Sequence, residues 1–369
     1  MGRFTQNYYH RKVMNYNYSE DTLTAIEAKF EAQKIAFGPI LFHAAKSMRD
    51  LGILDCIRKR AKDGITLDEI SAATKISTYG VKVLVEIGLS GRLIIVKDDK
   101  YFLTKTGMFM DTDEMTRVNM NFTQDVCYKE MEYLTESIQT GKPAGLKVSG
   151  DWESVYQMLQ NTPESDNSSW FEFDHYYSDH AFPLLLKTVF ADDIQSLMDI
   201  GANTGKWSKL CLEHSDQVKV TAVDLPGQLE RARANIEAAG NGDRFTTYPA
   251  DLLSPETTLP SDVDVVWMSQ FLDCFSEDEI VSILEKIKAN MRDDTVIYIN
   301  ETFWDKQEYE AAAFSLHATS LYFTCIANGN SKMYHSADMI KCIDKAGLKV
   351  TNEINDIGLG HTLLKCELA

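Results

Sequence analysis

The segment Leu197-Met198-Asp199-Ile200-Gly201-Ala202-Asn203-Thr204-Gly205-Lys206-Trp207 constrains this chain more than any other. An apolar run ending near an acid reads as a buried strand. Gly201 and Gly205 then let the backbone turn tightly and come close to a ligand, because neither carries a Cβ. A helical pattern follows, and the first N–H groups of a helix face whatever lies over the turn. A second apolar run, from Val218 to Val223, ends at Asp224, nineteen residues after Gly205. Strand, glycine turn, helix, strand and acid make a βαβ unit, where an acid at that place holds ribose hydroxyls. A dinucleotide loop would read G-x-G-x-x-G. No glycine stands at 203, so a generic or NAD-binding turn is the lesser reading.

Alternation continues to the C-terminus, which predicts a doubly wound α/β sheet. Strands are expected at 245–248, 263–268, 295–300, 348–354 and 361–366. Helices are expected at 228–240, 308–326 and 336–346, with another opened by Ser276 and closed into a capping box by Glu279. Upstream, residues 23–46 have helical spacing, with Pro39 breaking the run or starting a second helix. Residues 64–106 read as a winged helix. Thr66 and Glu69 form a capping box, a helix covers 79–89, and strands at 93–96 and 101–103 flank a turn at Asp98-Asp99. Residues 111–192 are mostly helical and aromatic. A helix is expected from Trp152 through Tyr156, then a polar break at 161–169 and a helix over 170–190. The domain reading is a flexible arm at 1–22, a winged-helix domain at 23–110, a helical connector and pocket wall at 111–192, and a nucleotide-type domain at 193–369.

Composition narrows the partners. A formal charge of −18 over 369 residues disfavours nucleic acid and anionic membrane. The winged segment 64–106 carries six basic and five acidic side chains, no footprint for a phosphate backbone. That favours a dimerisation scaffold over a DNA-binding regulator. No apolar run approaches the ~18 residues a membrane helix needs, and the N-terminal residues lack a secretory apolar core. The seven cysteines contain no Cys-x-x-Cys pair, so neither a metal site nor a disulfide framework is expected. A cytoplasmic protein with reduced thiols is the expectation.

On these motifs the chain resembles the S-adenosylmethionine (SAM)-dependent O-methyltransferases of the plant caffeic acid and hydroxyindole type, with their bacterial small-molecule relatives. The likeness spans nearly the whole chain. Residues 177–182 fit the stretch before the glycine loop, and 270–279 line up with the family's L-H-D-W-S-D-E segment. The resemblance implies a seven-stranded Rossmann-like domain behind a winged-helix dimerisation domain, SAM as cofactor with S-adenosylhomocysteine (SAH) as product, no metal, a homodimer and a small-molecule acceptor.

Carried over residue by residue, Asp199, Gly201, Asn203 and Gly205 would border SAM. Asp224 would bind the ribose hydroxyls and Leu225 the adenine, with Asp251 and Leu252 at the adenine ring. Ser269 stands where many members have Lys, and Phe275 where the family has Trp. Trp304, Phe314, His317, Leu321 and Met333 would line the acceptor pocket, together with Tyr322 and His335. The main departure is Asp273, at the place of the family's catalytic His. Glu301, 28 residues on, stands where the family has the Glu that orients it. A second orienting Glu would fall near Met333 and is missing. The site therefore holds a carboxylate pair and no imidazole, with His317 the second candidate base. Two readings stay open at this point. One is O-methylation of a hydroxyl on a small aromatic or polyketide-like metabolite, with Asp273 as base. The other is a SAM-fold protein without methyl transfer, either hydroxylase- or decarboxylase-like or ligand-binding.

Overall fold

The computed structural model of the chain describes Tyr18 and residues 20–369. The expected arm at 1–22 therefore lies largely outside the described residues. These residues form two compact units, Tyr18–Asp125 and Val126–Ala369. The stretch 126–192, expected to be a connector, belongs to the second unit.

The first unit opens with α1 (Ala25–Ala36), which starts on a Thr24–Glu27 capping box and buries none of its residues. Pro39 sits in the first turn of α2 (Gly38–Asp50), so it starts a second helix, where its missing N–H costs nothing. Helices α3 (Ile53–Lys59), α4 (Leu67–Thr74) and α5 (Thr78–Ser90) follow, α4 on the Thr66–Glu69 capping box. Strands β1 (Ile94–Lys97) and β2 (Lys100–Leu103) pair antiparallel. Asp98 and Asp99 both take positive φ, 47° and 57°, the twist that a two-residue hairpin turn requires. Met48, Ile53, Leu54, Ile57, Ile70, Val81 and Val85 fill one core between these elements. Helices α6 (Lys105–Thr112) and α7 (Glu114–Phe122) close the unit, tied by an ion pair of Arg58 with Asp111 at 2.6 Å.

The second unit begins with short helical segments, among them α8 (Leu134–Thr140) and α9 (Val155–Asn161). The helix expected from Trp152 begins three residues later, because Ser154 supplies the cap by accepting from the Gln157 N–H. The expected break at 161–169 is shorter, holding a single tight turn at Glu164–Asn167 before α10 (Ser168–Val189).

Five parallel strands follow: β3 (Ser196–Ile200), β4 (Lys219–Asp224), β5 (Phe245–Pro249), β6 (Val265–Ser269) and β7 (Val296–Glu301). Helices α11 (Lys206–His214), α12 (Pro226–Ala238) and α13 (Glu277–Lys288) connect them. After β7 come α14 (Glu310–Tyr322), which widens into a π turn at Phe323–Ala327, and α15 (Ser336–Lys345). The strands β8 (Leu348–Ile357) and β9 (His361–Leu368) end the chain. Both run longer than expected. A register shift between Ile354 and Ile357 lets β8 continue past the polar Asn355 and Asp356 to Ile357.

The sheet order is β5-β4-β3-β6-β7-β9-β8, with β9 antiparallel to both neighbours. One face packs Met198, Ile200, Ile297 and Ile299 against α13 and α15. The other packs Leu197, Val220, Ala222 and Trp267 against α10, α11 and α12. The strand order reverses beside β3, which has β4 on one side and β6 on the other. Ligands of open α/β sheets bind at the carboxyl ends of strands flanking such a point. Among the described residues, no helix is long and apolar enough to cross a membrane.

Candidate active site

The glycine turn caps the carboxyl end of β3. Gly201 and Gly205 have φ of +72° and +79°, and Asn203 between them has φ +51°. A Cβ at Gly201 would fall 2.3 Å from the Phe271 ring, so that position must be bare. Asn203 joins three elements. Its backbone N–H donates to Asp224 Oδ2 at 2.8 Å, and its side-chain Nδ2 donates to Asp174 Oδ2 of α10 at 2.8 Å. The Leu225 N–H donates to Asp224 Oδ1 at 2.6 Å. Backbone donors therefore fix the orientation of the Asp224 carboxyl. Helix α10 also reaches the loop through Asp179, which pairs with Lys206 Nζ at 2.6 Å, and through His175, whose Nε2 lies 3.3 Å from Thr204 Oγ1. Withdrawal from water pushes His175 down to about 4, so the ring is neutral.

Asp199 lies deeper, fully enclosed, and accepts from Ser208 Oγ of α11 at 2.5 Å. Asp251 is exposed in the loop after β5 and accepts from the Leu253 N–H at 2.9 Å, while Leu252 is buried beside it. Ser269 Oγ accepts from Asn300 Nδ2 at 2.9 Å. Phe275 stands edge-on to Phe271, ring centroids 4.9 Å apart, and its carbonyl accepts from the Tyr334 hydroxyl at 2.5 Å.

Next to this loop, the chain leaves β6 through Gln270, at φ +47°, into a tight turn at Leu272–Cys274. Glu301, the last residue of β7, holds that turn. Its Oε1 accepts from the N–H groups of Phe271 at 3.0 Å and Leu272 at 2.9 Å, while Oε2 is buried with no partner. Asp273 is 5% exposed and Glu301 1% exposed. Burial pushes Asp273 up to about 7, with Asp174 adding to the rise. Burial pushes Glu301 well above the usual carboxylate range. The neighbouring Asp273 raises it further, and the backbone donors offset part of the rise. Both carboxyls are therefore held above the ordinary carboxylate range, chiefly by burial and in part by neighbouring carboxyls.

The structure brings Asp273 and Glu301 close to each other, the arrangement that the resemblance implies. It gives the expected pocket residues different settings. Met333 is buried. Trp304 packs between His317 and His335, each with its ring centroid 4.9 Å from the indole. Phe314 and Leu321 stand out from α14, 73% and 42% exposed in the single chain, because this helix has too even a spread of apolar residues to hide them all. Three residues near the pair were not foreseen: Asp174, Tyr156 and Cys274. The Cys274 thiol lies 3.5 Å from Asp273 Oδ1, toward which it donates, and burial raises it well above an ordinary thiol. Only the adjacency of Cys274 to Asp273 was visible in the sequence. Asp174 and Tyr156 arrive from distant helices.

Burial around the glycine turn disfavours ionised carboxyls. Asp174 and Asp224 rise to about 6 and Asp199 to about 7, each chiefly through withdrawal from water. Carboxyls so raised accommodate a cation better than an anion. The class I methyltransferase arrangement is complete here: the seven-stranded sheet with its one inverted strand, the glycine turn, and the acid at the end of β4. Residues 132–349 match the O-methyltransferase domain family, and residues 29–101 match a dimerisation2-like domain. The chain belongs to the O-methyltransferase family and is a SAM-dependent methyltransferase.

A curated relative, the L-tyrosine C(3)-methyltransferase of Streptomyces lavendulae, is 23% identical over 85% of each chain. The apo SAM-dependent methyltransferase SibL superposes with a TM-score of 0.68 at 20% identity, over 92% of this chain and 98% of that one. An O-methyltransferase of neocarzinostatin biosynthesis, solved with SAH and 1,4-dihydroxy-2-naphthoic acid, superposes with a TM-score of 0.63 at 17% identity, covering 89% and 96%. The residues present fit SAM. The glycine turn closes the carboxyl end of β3 with positive φ at Gly201, Asn203 and Gly205, and the raised carboxyls around it suit a molecule carrying a sulfonium and an ammonium group.

Proposed function

We propose that this enzyme methylates a hydroxyl of a small aromatic or polyketide-like metabolite, with Asp273 as the general base. SAM supplies an electrophilic methyl group on a sulfonium sulfur. Asp224 would hold its ribose, Gly201, Asn203 and Gly205 its amino-acid end, and Leu225, Asp251 and Leu252 its adenine. Much of the acceleration in such a displacement is positioning. The remaining task is to remove the acceptor's proton as its oxygen attacks. One observation carries the reading: Asp273 is buried, titrates near 7, and stands on a turn that Glu301 clamps through two backbone N–H groups. A base with that affinity for protons can take one from an acidic hydroxyl at working pH. Glu301 is a positioning residue, acting on the turn and not on the acceptor.

The exposed apolar side chains of the first unit, Ile26, Ile35, Phe37 and Ile40, support a homodimer through residues 23–110. Trp304, His317 and Met333 remain candidates for the acceptor wall, and Phe314 and Leu321 fit that role only where a second copy covers α14. The test is SAH release in the presence of phenolic acceptors, comparing wild type with Asp273→Asn. Loss of SAH release in a variant that still binds SAH supports the base. Equal rates in both would remove it. The product should be read by NMR, because a relative is named for methylation at carbon and not at oxygen. A methyl on ring carbon would overturn the hydroxyl assignment.

A further inference from the structure

Buried tyrosines spend their hydroxyls. In this unit Tyr322 accepts from Trp170 Nε1 at 2.7 Å, and Tyr334 donates to the Phe275 carbonyl at 2.5 Å. Tyr156 differs from these two. Its buried hydroxyl makes no hydrogen bond of good geometry, with only the weakly accepting Cys274 thiol within reach. The groups acting on it are Cys274, Tyr322 and Asp273, so it lies beside the Asp273 turn and not in an apolar core. A buried phenol left unpaired costs about 1–3 kcal/mol, and tyrosine hydroxyls in such places usually find a partner. Phenylalanine would fill the same space without that cost. Its position is set early in α9, one residue after the fully buried Val155, so the ring cannot swing away without unpacking the helix.

We propose that Tyr156 is an acceptor-recognition residue, donating its hydroxyl hydrogen to a carbonyl oxygen conjugated with the hydroxyl that Asp273 deprotonates. The acceptor class is then acyl phenols and related vinylogous acids. This rests on the methyl-transfer reading above. The chemistry joins the two residues. A simple phenol holds its proton near pH 10, about three units above Asp273. A conjugated carbonyl makes the hydroxyl more acidic and closes that gap, which is the match a general base needs. In the step, the acceptor's O–H proton passes to Asp273 and its oxygen forms the new C–O bond to the methyl carbon. The C–S bond breaks with its electron pair left on sulfur. The carbonyl gains no proton. It takes the Tyr156 hydrogen bond while the ring shares the negative charge with it.

The test uses two acceptors of nearly the same shape, 4-hydroxyacetophenone and 4-ethylphenol, titrated into the full-length protein saturated with SAH. Wild type should bind the ketone about tenfold more tightly, because a site built to donate rejects the analogue without an acceptor. Tyr156→Phe should weaken the ketone about tenfold and leave 4-ethylphenol and SAH affinity unchanged. A merely structural tyrosine would weaken both acceptors alike or lower SAH affinity, and either result overturns the proposal. So does a wild type that prefers 4-ethylphenol, or one that binds neither acceptor while binding SAH. Failure to bind SAH at all would instead bring down the methyl-transfer reading beneath it.

Discussion

The glycine turn at 201–205 and the turn at 270–275 sit at the ends of two paired strands, β3 and β6, yet they are built differently. In the first, backbone geometry does the arranging. Positive φ angles at Gly201, Asn203 and Gly205 aim N–H groups, and the Asp224 carboxyl has both oxygens occupied. In the second, side chains from separate elements meet: Glu301 from β7, Tyr156 from α9 and Asp174 from α10. Glu301 Oε2 and the Tyr156 hydroxyl lack a well-formed partner there, as Asn203 Oδ1 does in the first turn, so the difference lies in what does the arranging and not in the count of unpaired atoms. A cofactor shared by a whole family can be held by backbone. An acceptor peculiar to one member must be read by side chains.

If the two turns are functionally separate, variants should split cleanly. Asp273→Asn keeps the shape and removes the base. It should lower kcat by about 10²- to 10⁴-fold with SAH affinity unchanged by calorimetry. Asp224→Ala should do the reverse, weakening SAM and SAH by roughly 10- to 100-fold through lost charged hydrogen bonds. A drop in SAH affinity in Asp273→Asn would break the separation.

Gly201→Ala tests the seam between the turns, because its Cβ would meet Phe271, two residues before Asp273. The left-handed backbone costs alanine about 1–2 kcal/mol, and the clash adds about 1–3 kcal/mol. Tm should fall by roughly 5 °C or more, with cofactor affinity and turnover both reduced. An unchanged melting curve would show that Phe271 moves freely and that the turns are not in contact through it.

The smallest effect is electrostatic. Asp174, Asp199 and Asp224 hold their protons more tightly folded than unfolded, at about 6, 7 and 6. Between pH ~4, the unfolded value, and pH 7, the folded protein binds more protons. Stability without cofactor therefore falls as pH rises through that window. Differential scanning fluorimetry should show a Tm a few degrees lower at pH 8 than at pH 5. SAM, a cation, should recover more of the loss at pH 8 than SAH does. A Tm that rises with pH would mean these carboxyls are not raised.

The fold was legible because its signals are local. The strand ending in Asp199, the two glycines and Asp224 lie within one βαβ unit, and the boxes Thr66–Glu69 and Ser276–Glu279 form as their spacing requires. The turn at 270–275 was legible in part. Asp273 and Glu301 were placed by the resemblance, at the positions of the family's His and Glu. Tyr156 could not be placed, since 118 residues separate it from Cys274 and no periodicity links a helix to a distant turn. Asp174 was hidden likewise within an aromatic helix whose apolar residues gave the stronger pattern. The start of α9 was misplaced because Asp151, just before Trp152, and Ser154 are both good caps by type, whereas the helix begins at the buried Val155.

One measurement tests the central claim most directly: SAH formation from SAM by wild type and Asp273→Asn across pH 5.5 to 9, with SAH affinity recorded on the same samples. Wild type should gain activity as pH rises through about 7 and then level off, because only ionised Asp273 accepts a proton. The variant should bind SAH equally well and show a low rate without that rise. A variant that keeps both the rate and its pH dependence would show that the proton leaves by another route, and Asp273 would lose its place as the base.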